Sequence, residues 1–422
     1  MGGTSPSCIS LFTGAGGLDV GLEAAGFAVR LCVEMEPVAR ATLERNRPQW
    51  PLSTPGDIHL LPNAELLRQA RVRRREVDLL AGGPPCQPFS KSGYWSLGDS
   101  RRLSDPRAST LAAYLRVVEA TLPRVLLLEN VRGISFRGKD EAVHYLRDGL
   151  ARINCRNETA YDLSILHVNA ADFGVPQLRE RVLLIAARDG TPFEPPAPLR
   201  GPQGSGLAAY ATAWDAIGDL RCEADGPDIQ LSGKWADLLP SIPEGRNYLW
   251  HTPQLGGKPL FGWRTKYWSF LLKLAKNQPS WTIQAAPGPA TGPFHWDNRR
   301  LSIRELARIQ TFPDKYVFEG SYAEAQKQIG NAVPCALGEV LGVEIRRQLL
   351  RDGTRRRNPW LGTPASRMPT PPPEQPHPVP RRYLVLEAGH SPHPGTGKGP
   401  AARKRARDEH KPHRTEPVTP PA

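Results

Sequence analysis

Short hydrophobic segments alternate with amphipathic ones through the first half of the chain. Six segments rich in Val, Ile and Leu, each bounded by Gly, Pro or polar residues, predict the strands Cys8–Phe12, Val29–Val33, Val77–Ala81, Val125–Glu129, Leu163–Val168 and Val182–Ala187. Between them the pattern predicts helices, including Leu18–Ala25, Pro37–Asn46 and Thr110–Leu122. This alternation predicts an α/β fold, in which a mostly parallel sheet carries helices on both faces.

The pattern changes at about residue 190, where prolines interrupt it and aromatic residues become frequent. Seven of the ten tryptophans lie between Trp214 and Trp296, which indicates a second, smaller and irregular domain. Regular structure is predicted again for Ser302–Gln310, with Ser302 as N-cap and Glu305 completing a capping box, and for Ala336–Leu350. The predicted division is therefore residues 1–190, 191–300, 301–350 and a tail, 351–422.

The tail is rich in proline and basic residues, a composition typical of disorder. Residues 351–422 hold 14 Lys or Arg and 6 Asp or Glu, so they carry +8 of the chain's net charge of +13. A basic excess favours a polyanionic partner. The short apolar patch Tyr383–Leu386 could dock on the protein, but an unbound tail is the prediction.

Length and cysteine usage exclude several classes of protein. None of the 422 residues falls in an apolar run long enough to span a membrane, and the N-terminus lacks the features of a signal peptide, so a cytoplasmic protein is expected. The six cysteines show no CxxC spacing, so we expect free thiols and no metal site.

The first predicted strand runs into a glycine-rich turn, Phe12-Thr13-Gly14-Ala15-Gly16-Gly17. Such a turn lets the backbone approach a ligand, although many are only tight turns. About twenty residues later, Glu34 ends the second strand, where an acid can hold ribose hydroxyls or can simply be solvated. Asp57 and Ile58 follow a glycine and could reach the same site.

The third predicted strand ends in Gly82-Gly83-Pro84-Pro85-Cys86-Gln87, on the side of a parallel sheet where ligands bind. Prolines restrict the position of Cys86, which favours a nucleophile over a structural thiol, and a nucleophile needs a thiolate. Glu129 ends the neighbouring strand and could activate a heterocycle, or it could be a solvated or capping residue.

Two further segments carry candidate residues. Alternation along a strand would place Gln177, Arg179 and Arg181 on one face, suited to a phosphate or a polarised carbonyl or else to a structural ion-pair network. Asn331 lies in a Gly-Asn turn before Pro334, which by itself indicates only the start of the last helix.

Taken together and in this order, these segments resemble the bacterial DNA (cytosine-5) methyltransferase family over about residues 7–348. The resemblance implies a Rossmann-like, S-adenosylmethionine-dependent sheet, a target-recognition domain in the irregular region, and duplex DNA as partner. It implies cofactor contacts from the set Phe12, Gly14, Gly16, Glu34, Met35, Asp57, Ile58 and Asn331. It implies catalytic roles for Cys86 as nucleophile, Glu129 at N3 of cytosine, and Arg179 and Arg181. Ser10 departs from the family, which usually has Asp there.

The implied mechanism is attack of the Cys86 thiolate on C6 of a flipped-out cytosine, which activates C5 for methylation. Arg179 is the residue expected to support O2 of the base. The basic and aromatic loop that follows Cys86 could close over DNA, or it could be an ordinary surface loop. Its candidate DNA contacts, together with those of the middle domain, are Lys91, Tyr94, Trp95, Arg101, Arg102, Arg107, Arg246, Arg264, Lys266, Arg299 and Arg300.

Three other classes of protein remain alternatives. An RNA methyltransferase of similar design is disfavoured by the large middle domain, and a small-molecule methyltransferase by the Cys86 loop and basic tail. A nucleic-acid-binding regulator with an inactive fold does not need Cys86, Glu129 and Arg179 together. We expect a monomer that associates with the nucleoid when bound to DNA and acts in a restriction-modification or anti-phage system.

Overall fold

A six-stranded sheet forms the centre of the molecule. The computed structural model describes residues 5–84, 109–131, 141–220, 227–262 and 267–387. In chain order its strands are β1 (Ser7–Leu11), β2 (Ala28–Val33), β3 (Leu79–Gly82), β4 (Val125–Val131), β5 (Ser164–Asn169), β6 (Gln177–Leu178), β7 (Glu180–Ala187), β8 (Arg200–Gly201), β9 (Ala208–Ala209) and β10 (Ser280–Trp281). The central sheet has the order β2-β1-β3-β4-β7-β5.

The helices are α1 (Gly17–Ala24), α2 (Pro37–Asn46), α3 (Asn63–Ala70), α4 (Ser109–Thr121), α5 (Glu141–Asn157), α6 (Ala213–Ile217), α7 (Ile303–Ile309), α8 (Tyr322–Asn331) and α9 (Cys335–Ile345). A wider helical turn, Arg346–Leu350, continues α9. All six predicted strands and the predicted early helices are confirmed to within three residues at each end. The capping box at Ser302 and Glu305 is confirmed as well.

Strand direction determines where ligands can bind. Strands β2, β1, β3 and β4 run parallel, so their carboxyl ends meet along one edge of the sheet. Strand β7 runs antiparallel to both β4 and β5, and its first residues therefore lie beside the last residues of β4. Both the glycine turn after β1 and Glu129 on β4 consequently face the same edge.

Helices cover both faces of the sheet. On one face, α3, α4 and α5 bury residues such as Leu66, Val118 and Leu146 against the strands. On the other face, α1 and α9 pack together, with Leu22 and Leu341 in their shared core. This burial on both sides explains why the parallel strands have nearly continuous apolar sequences.

Two further clusters lie beside the sheet. One joins Trp50 of the first region to Trp214 and Trp296, so α6 packs on the same body as α1 and α2. The other is rich in aromatic residues and consists of residues between Leu231 and Phe294 together with Val379, Tyr383 and Leu386 of the C-terminal segment. The cluster formed by residues 231–294 is called here the aromatic subdomain.

Two predictions need correction. Asn331 does not start the last helix; it is the final residue of α8, and α9 begins at Cys335 after Pro334. Disorder beyond residue 350 is wrong for residues 351–387, because this segment packs on the protein and buries Tyr383. Its apolar residues and backbone donors find partners across both clusters described above. Residues 388–422 lie outside the described residues.

The structure also bears on membrane-spanning helices, metal ligands and cysteine thiols. Among the described residues, no helix is long and apolar enough to cross a bilayer. Within the same part of the chain, no three His, Cys, Asp or Glu side chains are grouped to hold a metal. Cys8, Cys32 and Cys335 are buried free thiols, and Cys155 is an exposed one.

Close packing of α1 against α9 makes Gly21 sensitive to substitution. A Cβ atom there would lie 2.3 Å from the backbone oxygen of Cys335. We expect Gly21→Ala to lower the free energy of unfolding by about 1–3 kcal/mol through overpacking, despite the better helix propensity of alanine. Gly262→Ala, with no neighbour within 4 Å, is the control. Equal thermal midpoints for the two variants would contradict this account.

Candidate active site at the carboxyl edge of the sheet

The glycine turn after β1 has a backbone that few side chains tolerate. Gly14 and Gly16 have φ values of 57° and 75°, in the left-handed region, and Gly16 is the N-cap of α1. A Cβ on Gly14 would meet no atom within 4 Å, whereas one on Gly17 would lie 2.3 Å from the oxygen of Val333. The turn is therefore packed from behind at Gly17 and open in front at Gly14.

Glu34 holds this turn from the end of β2. Its carboxylate accepts hydrogen bonds from the backbone N–H of Gly14 at 2.6 Å and of Glu36 at 2.8 Å. Only 7% of the residue is exposed. A carboxylate with this geometry can still accept bonds from hydroxyl groups, since each oxygen has a second lone pair.

An open groove lies next to Glu34. Met35, which is 63% exposed, and Asp57 line it together with Arg40 and the Thr54-Pro55-Gly56 turn. Ile58 is buried, and Phe12 packs at the edge of the core with a positive φ of 57°. Asn331 is exposed, at the end of α8.

A buried polar chain runs beneath the glycine turn. The Thr13 hydroxyl donates to Ser10 Oγ at 3.1 Å, and the buried carboxyl of Asp19 on α1 lies near Ser10. Burial raises the pKa of the Asp19 carboxyl to about 6, against the opposing effect of the Ser10 hydrogen bond. The carboxyl thus stands on α1, next to the position where the resembled family has Asp and this chain has Ser10.

Glu129 and Arg181 form an ion pair at the other half of the site. Arg181 Nε lies 2.7 Å from Glu129 Oε1, and about a tenth of each side chain is exposed. The antiparallel pairing of β7 with β4 creates this contact. A Cβ on Gly83 would lie 3.6 Å from Glu129 Oε2, so the glycine after β3 leaves space in front of the carboxylate.

Arg179 lies elsewhere, although it is only two residues from Arg181. Its guanidinium donates to the backbone oxygens of Gly330 at 2.8 Å, Ala332 at 2.9 Å and Ile283 at 3.3 Å. It is 1% exposed. The structure therefore gives Arg179 a scaffold position, and the expectation that it supports the substrate base is corrected: Arg181 is the arginine beside Glu129.

Gln177 shares the buried environment of Arg179. Its amide donates to Gln310 Oε1 at 3.0 Å and its oxygen accepts from the N–H of Ile283 at 3.1 Å. Two other predicted contacts have structural partners: Arg299 forms a buried pair with Glu305 at 2.7 Å, and Arg300 lies over the ring of Tyr322. Arg246 is exposed, as a DNA contact requires.

Several predicted residues lie outside the described residues. They are Cys86, the loop residues Lys91, Tyr94, Trp95, Arg101, Arg102 and Arg107, and the middle-domain residues Arg264 and Lys266. The described chain ends at Pro84 on this side of the site. The side-chain N–H of Asn130, next to Glu129, donates to the oxygen of Pro84 at 3.3 Å.

This sheet order, with helices on both faces and a glycine turn at the carboxyl edge, is that of a Rossmann-like methyltransferase fold. The family model for C-5 cytosine-specific DNA methylases matches residues 7–347, so the chain belongs to that family. It is a DNA (cytosine-5) methyltransferase, an enzyme that uses S-adenosylmethionine.

Two related proteins with assigned names support this family membership. The Type II methyltransferase M.SacI of Streptomyces achromogenes is 38% identical over 369 residues, which cover 81% of this chain and 93% of that protein. The Type II methyltransferase M.NgoFVII of Neisseria gonorrhoeae is 33% identical over 78% of this chain and 83% of that protein.

Solved structures show the fold at lower identity. One of them is described as a putative DNA modification methyltransferase encoded within a prophage of E. coli. It superposes with a TM-score of 0.56 at 23% identity, over 82% of this chain and all of that one. DNMT2 of Spodoptera frugiperda gives 0.55 at 16% identity, over 80% of this chain and 98% of that one.

The described residues fit S-adenosylmethionine. The space in front of Gly14 admits a ligand against the backbone, and Glu34 is placed to accept from ribose hydroxyls. Met35 is exposed and borders the groove, where its side chain would cover an adenine ring.

Sequence reasoning missed two residues at this site. Asp19 is buried on α1 near Ser10, the position at which the resembled family usually has Asp. Tyr316 donates its hydroxyl to the backbone oxygen of Ala15 at 2.7 Å, across 301 positions of sequence. No local pattern predicts a contact of that separation.

The raised pKa of Asp19 predicts a pH-dependent stability. The folded-state pKa of about 6 lies above the ordinary value of 3.8, so the folded protein binds this proton more tightly than the unfolded chain. That stabilisation is complete below pH 3.8 and is lost as the pH rises through 6. We therefore expect Asp19→Asn to gain stability relative to the wild type between pH 4 and pH 7, measured by urea unfolding. A difference that stays constant over this range would contradict the assignment.

Proposed function

We propose that Cys86, Glu129 and Arg181 carry out the methylation of cytosine, and that the Glu129–Arg181 ion pair forms the floor of the base pocket. That ion pair is the observation on which the proposal mainly rests. It lies at the carboxyl edge of the sheet, beside the turn that binds the cofactor. A cytosine placed there would present its N3 and O2 edge to a carboxyl group and a guanidinium.

Chain connectivity supports the assignment of Cys86 to the same pocket. Cys86 follows Pro84 by two residues, and two residues span at most about 7 Å. Because Pro84 accepts a hydrogen bond from Asn130, the described chain stops next to Glu129 two residues before Cys86, which supports the assignment of Cys86 to this pocket. A nucleophile here requires the thiolate form of Cys86, which a neighbouring cation would favour.

The steps follow from what cytosine requires. The Cys86 thiolate forms a bond to C6, and the ring electrons shift so that C5 becomes nucleophilic. Glu129 shares a proton with N3, and Arg181 stabilises the charge that develops at O2. C5 then takes the electrophilic methyl group that S-adenosylmethionine would supply, and the cofactor would leave as the neutral thioether S-adenosylhomocysteine. Removal of the C5 proton by a base then expels the Cys86 thiolate and restores the aromatic ring.

The target cytosine must rotate out of the duplex to enter this pocket. Flipping costs a few kcal/mol, which DNA contacts elsewhere have to supply. We assign this role to the aromatic subdomain, because Tyr267 and Trp268 are exposed there and Trp268 packs edge-on against Trp281, 5.5 Å away. Strand β10, which ends at Trp281, pairs with β6 immediately before Arg179. DNA bound to these rings therefore lies next to the pocket.

The biological role follows from the relatives. Both M.SacI and M.NgoFVII are named as Type II methyltransferases, and we infer that this chain likewise protects DNA within a restriction-modification system. We further propose that it acts as a monomer associated with the nucleoid, since one pocket and one reading surface can treat a palindromic site one strand at a time.

The test compares methyl transfer from radiolabelled S-adenosylmethionine to duplex DNA and to transfer RNA. Transfer to DNA alone is expected. Arg181→Met should lower kcat by about 10²–10³-fold, because it removes one preorganised donor to developing charge. Arg68→Met, on the exposed surface of α3, is the matched control and should retain full activity. Unchanged kcat in Arg181→Met would remove Arg181 from the mechanism, and transfer to RNA alone would change the substrate class.

A further inference from the structure

Residues 351–387 form a continuous band, called here the C-terminal strap, that contacts the sheet domain and the aromatic subdomain in turn. Near its start it contacts Glu339 on α9, a residue with no exposed surface. The Glu339 carboxylate accepts from the backbone N–H groups of Trp360 at 3.0 Å and Leu361 at 2.9 Å, and it pairs with Arg357. A buried carboxylate requires such partners, so the strap is an integral part of the fold here.

Next the strap crosses the cluster between the two regions. The backbone N–H of Ser366 donates to Asp215 Oδ1 at 2.7 Å, and the oxygen of Met368 accepts from the indole N–H of Trp214 at 3.1 Å. Trp214 is buried and packs against Trp296, with ring centroids 5.8 Å apart. This crossing ties the strap to the segments through which the chain enters and leaves the aromatic subdomain.

The far end of the strap completes the core of the aromatic subdomain. Tyr383 is 3% exposed, and its ring stacks on Trp235 with centroids 5.6 Å apart and planes 14° apart. Its hydroxyl donates to the backbone oxygen of Lys234 at 2.5 Å. Arg382 pairs with Asp237 beside it.

Charge in the subdomain also depends on the strap. Lys273 and Lys276 are both buried, and Lys276 pairs with Glu244. Burial lowers the pKa of Lys273 to about 8, and the negative charges of Glu244 and of Glu374 on the strap oppose this shift. The backbone N–H of Glu374 donates to Glu244 Oε1 at 3.3 Å. The strap therefore contributes negative charge near two buried cations.

We propose that the C-terminal strap fixes the aromatic subdomain relative to the catalytic pocket, with Tyr383 as the positioning residue for target-site recognition. The proposal rests on the proposed role of the subdomain in DNA binding. The strap binds α9 at one end and fills the core of the subdomain at the other, so it resists rotation of one body on the other. The reaction requires the target base to be held within about 0.5 Å of its productive position. A larger displacement between the DNA-binding surface and the catalytic pocket therefore lowers the efficiency of methylation.

The test uses the full chain and compares Tyr383→Ala with Val385→Ala, a strap residue that is 78% exposed. The methylated sequence is first identified by bisulfite sequencing of DNA treated with the wild type. We expect Tyr383→Ala to raise KM for that duplex about tenfold and to reduce discrimination against a duplex with one altered base pair about tenfold. Such changes correspond to about 1.4 kcal/mol each. The kcat at saturating DNA and the affinity for S-adenosylmethionine should stay at wild-type values, as should every parameter of Val385→Ala.

A milder variant separates positioning from folding. Tyr383→Phe combined with Arg382→Ala keeps the ring on Trp235 but removes the hydroxyl contacts with Lys234 and Asp237 and the Arg382–Asp237 ion pair. It should raise KM for DNA by an intermediate factor. Wild-type KM and discrimination in both variants would overturn the proposal. So would a loss of cofactor affinity in parallel with DNA affinity, which indicates a general structural role. A wild type that transfers no methyl group to DNA would instead refute the proposed function.

Discussion

Parallel pairing of β2, β1, β3 and β4 is the constraint on which the rest of this structure depends. It brings the ends of four strands, far apart in sequence, to one edge of the sheet. Glu34, the glycine turn, Gly83 and Glu129 are neighbours for that reason alone. The polar groups gathered there remain accessible because glycines at positions 14 and 83 leave space that any side chain would fill.

A single antiparallel strand contributes the second residue of the proposed base pocket. Strand β7 places Arg181 against Glu129, whereas Arg179, two residues earlier, binds the backbone oxygens of Gly330, Ala332 and Ile283. One short segment thus contributes a pocket residue and a buried connector to the last two helices. The connector holds the end of α8 close to the start of β7.

Local pattern was sufficient for much of this fold. Apolar strands, capping residues such as Ser302, and the glycine turn are encoded within a few residues, and they were predicted correctly. Long-range partners were not predictable: nothing near Arg179 in sequence distinguishes its buried carbonyl partners from a substrate, and nothing near Tyr383 reveals the ring of Trp235 that covers it. The composition of the tail predicted disorder. Composition alone does not show that a few residues, such as Arg357 and Tyr383, bind the segment to the rest of the protein.

Covalent catalysis through Cys86 is the central claim, and trapping tests it most directly. Duplex DNA containing 5-fluorocytosine is incubated with the protein and S-adenosylmethionine and then run on a denaturing gel. Fluorine cannot leave C5 as a proton does, so we predict a cofactor-dependent protein–DNA band that Cys86→Ser abolishes. Absence of that band from a preparation that methylates unmodified DNA, or its persistence in Cys86→Ser, would contradict the account.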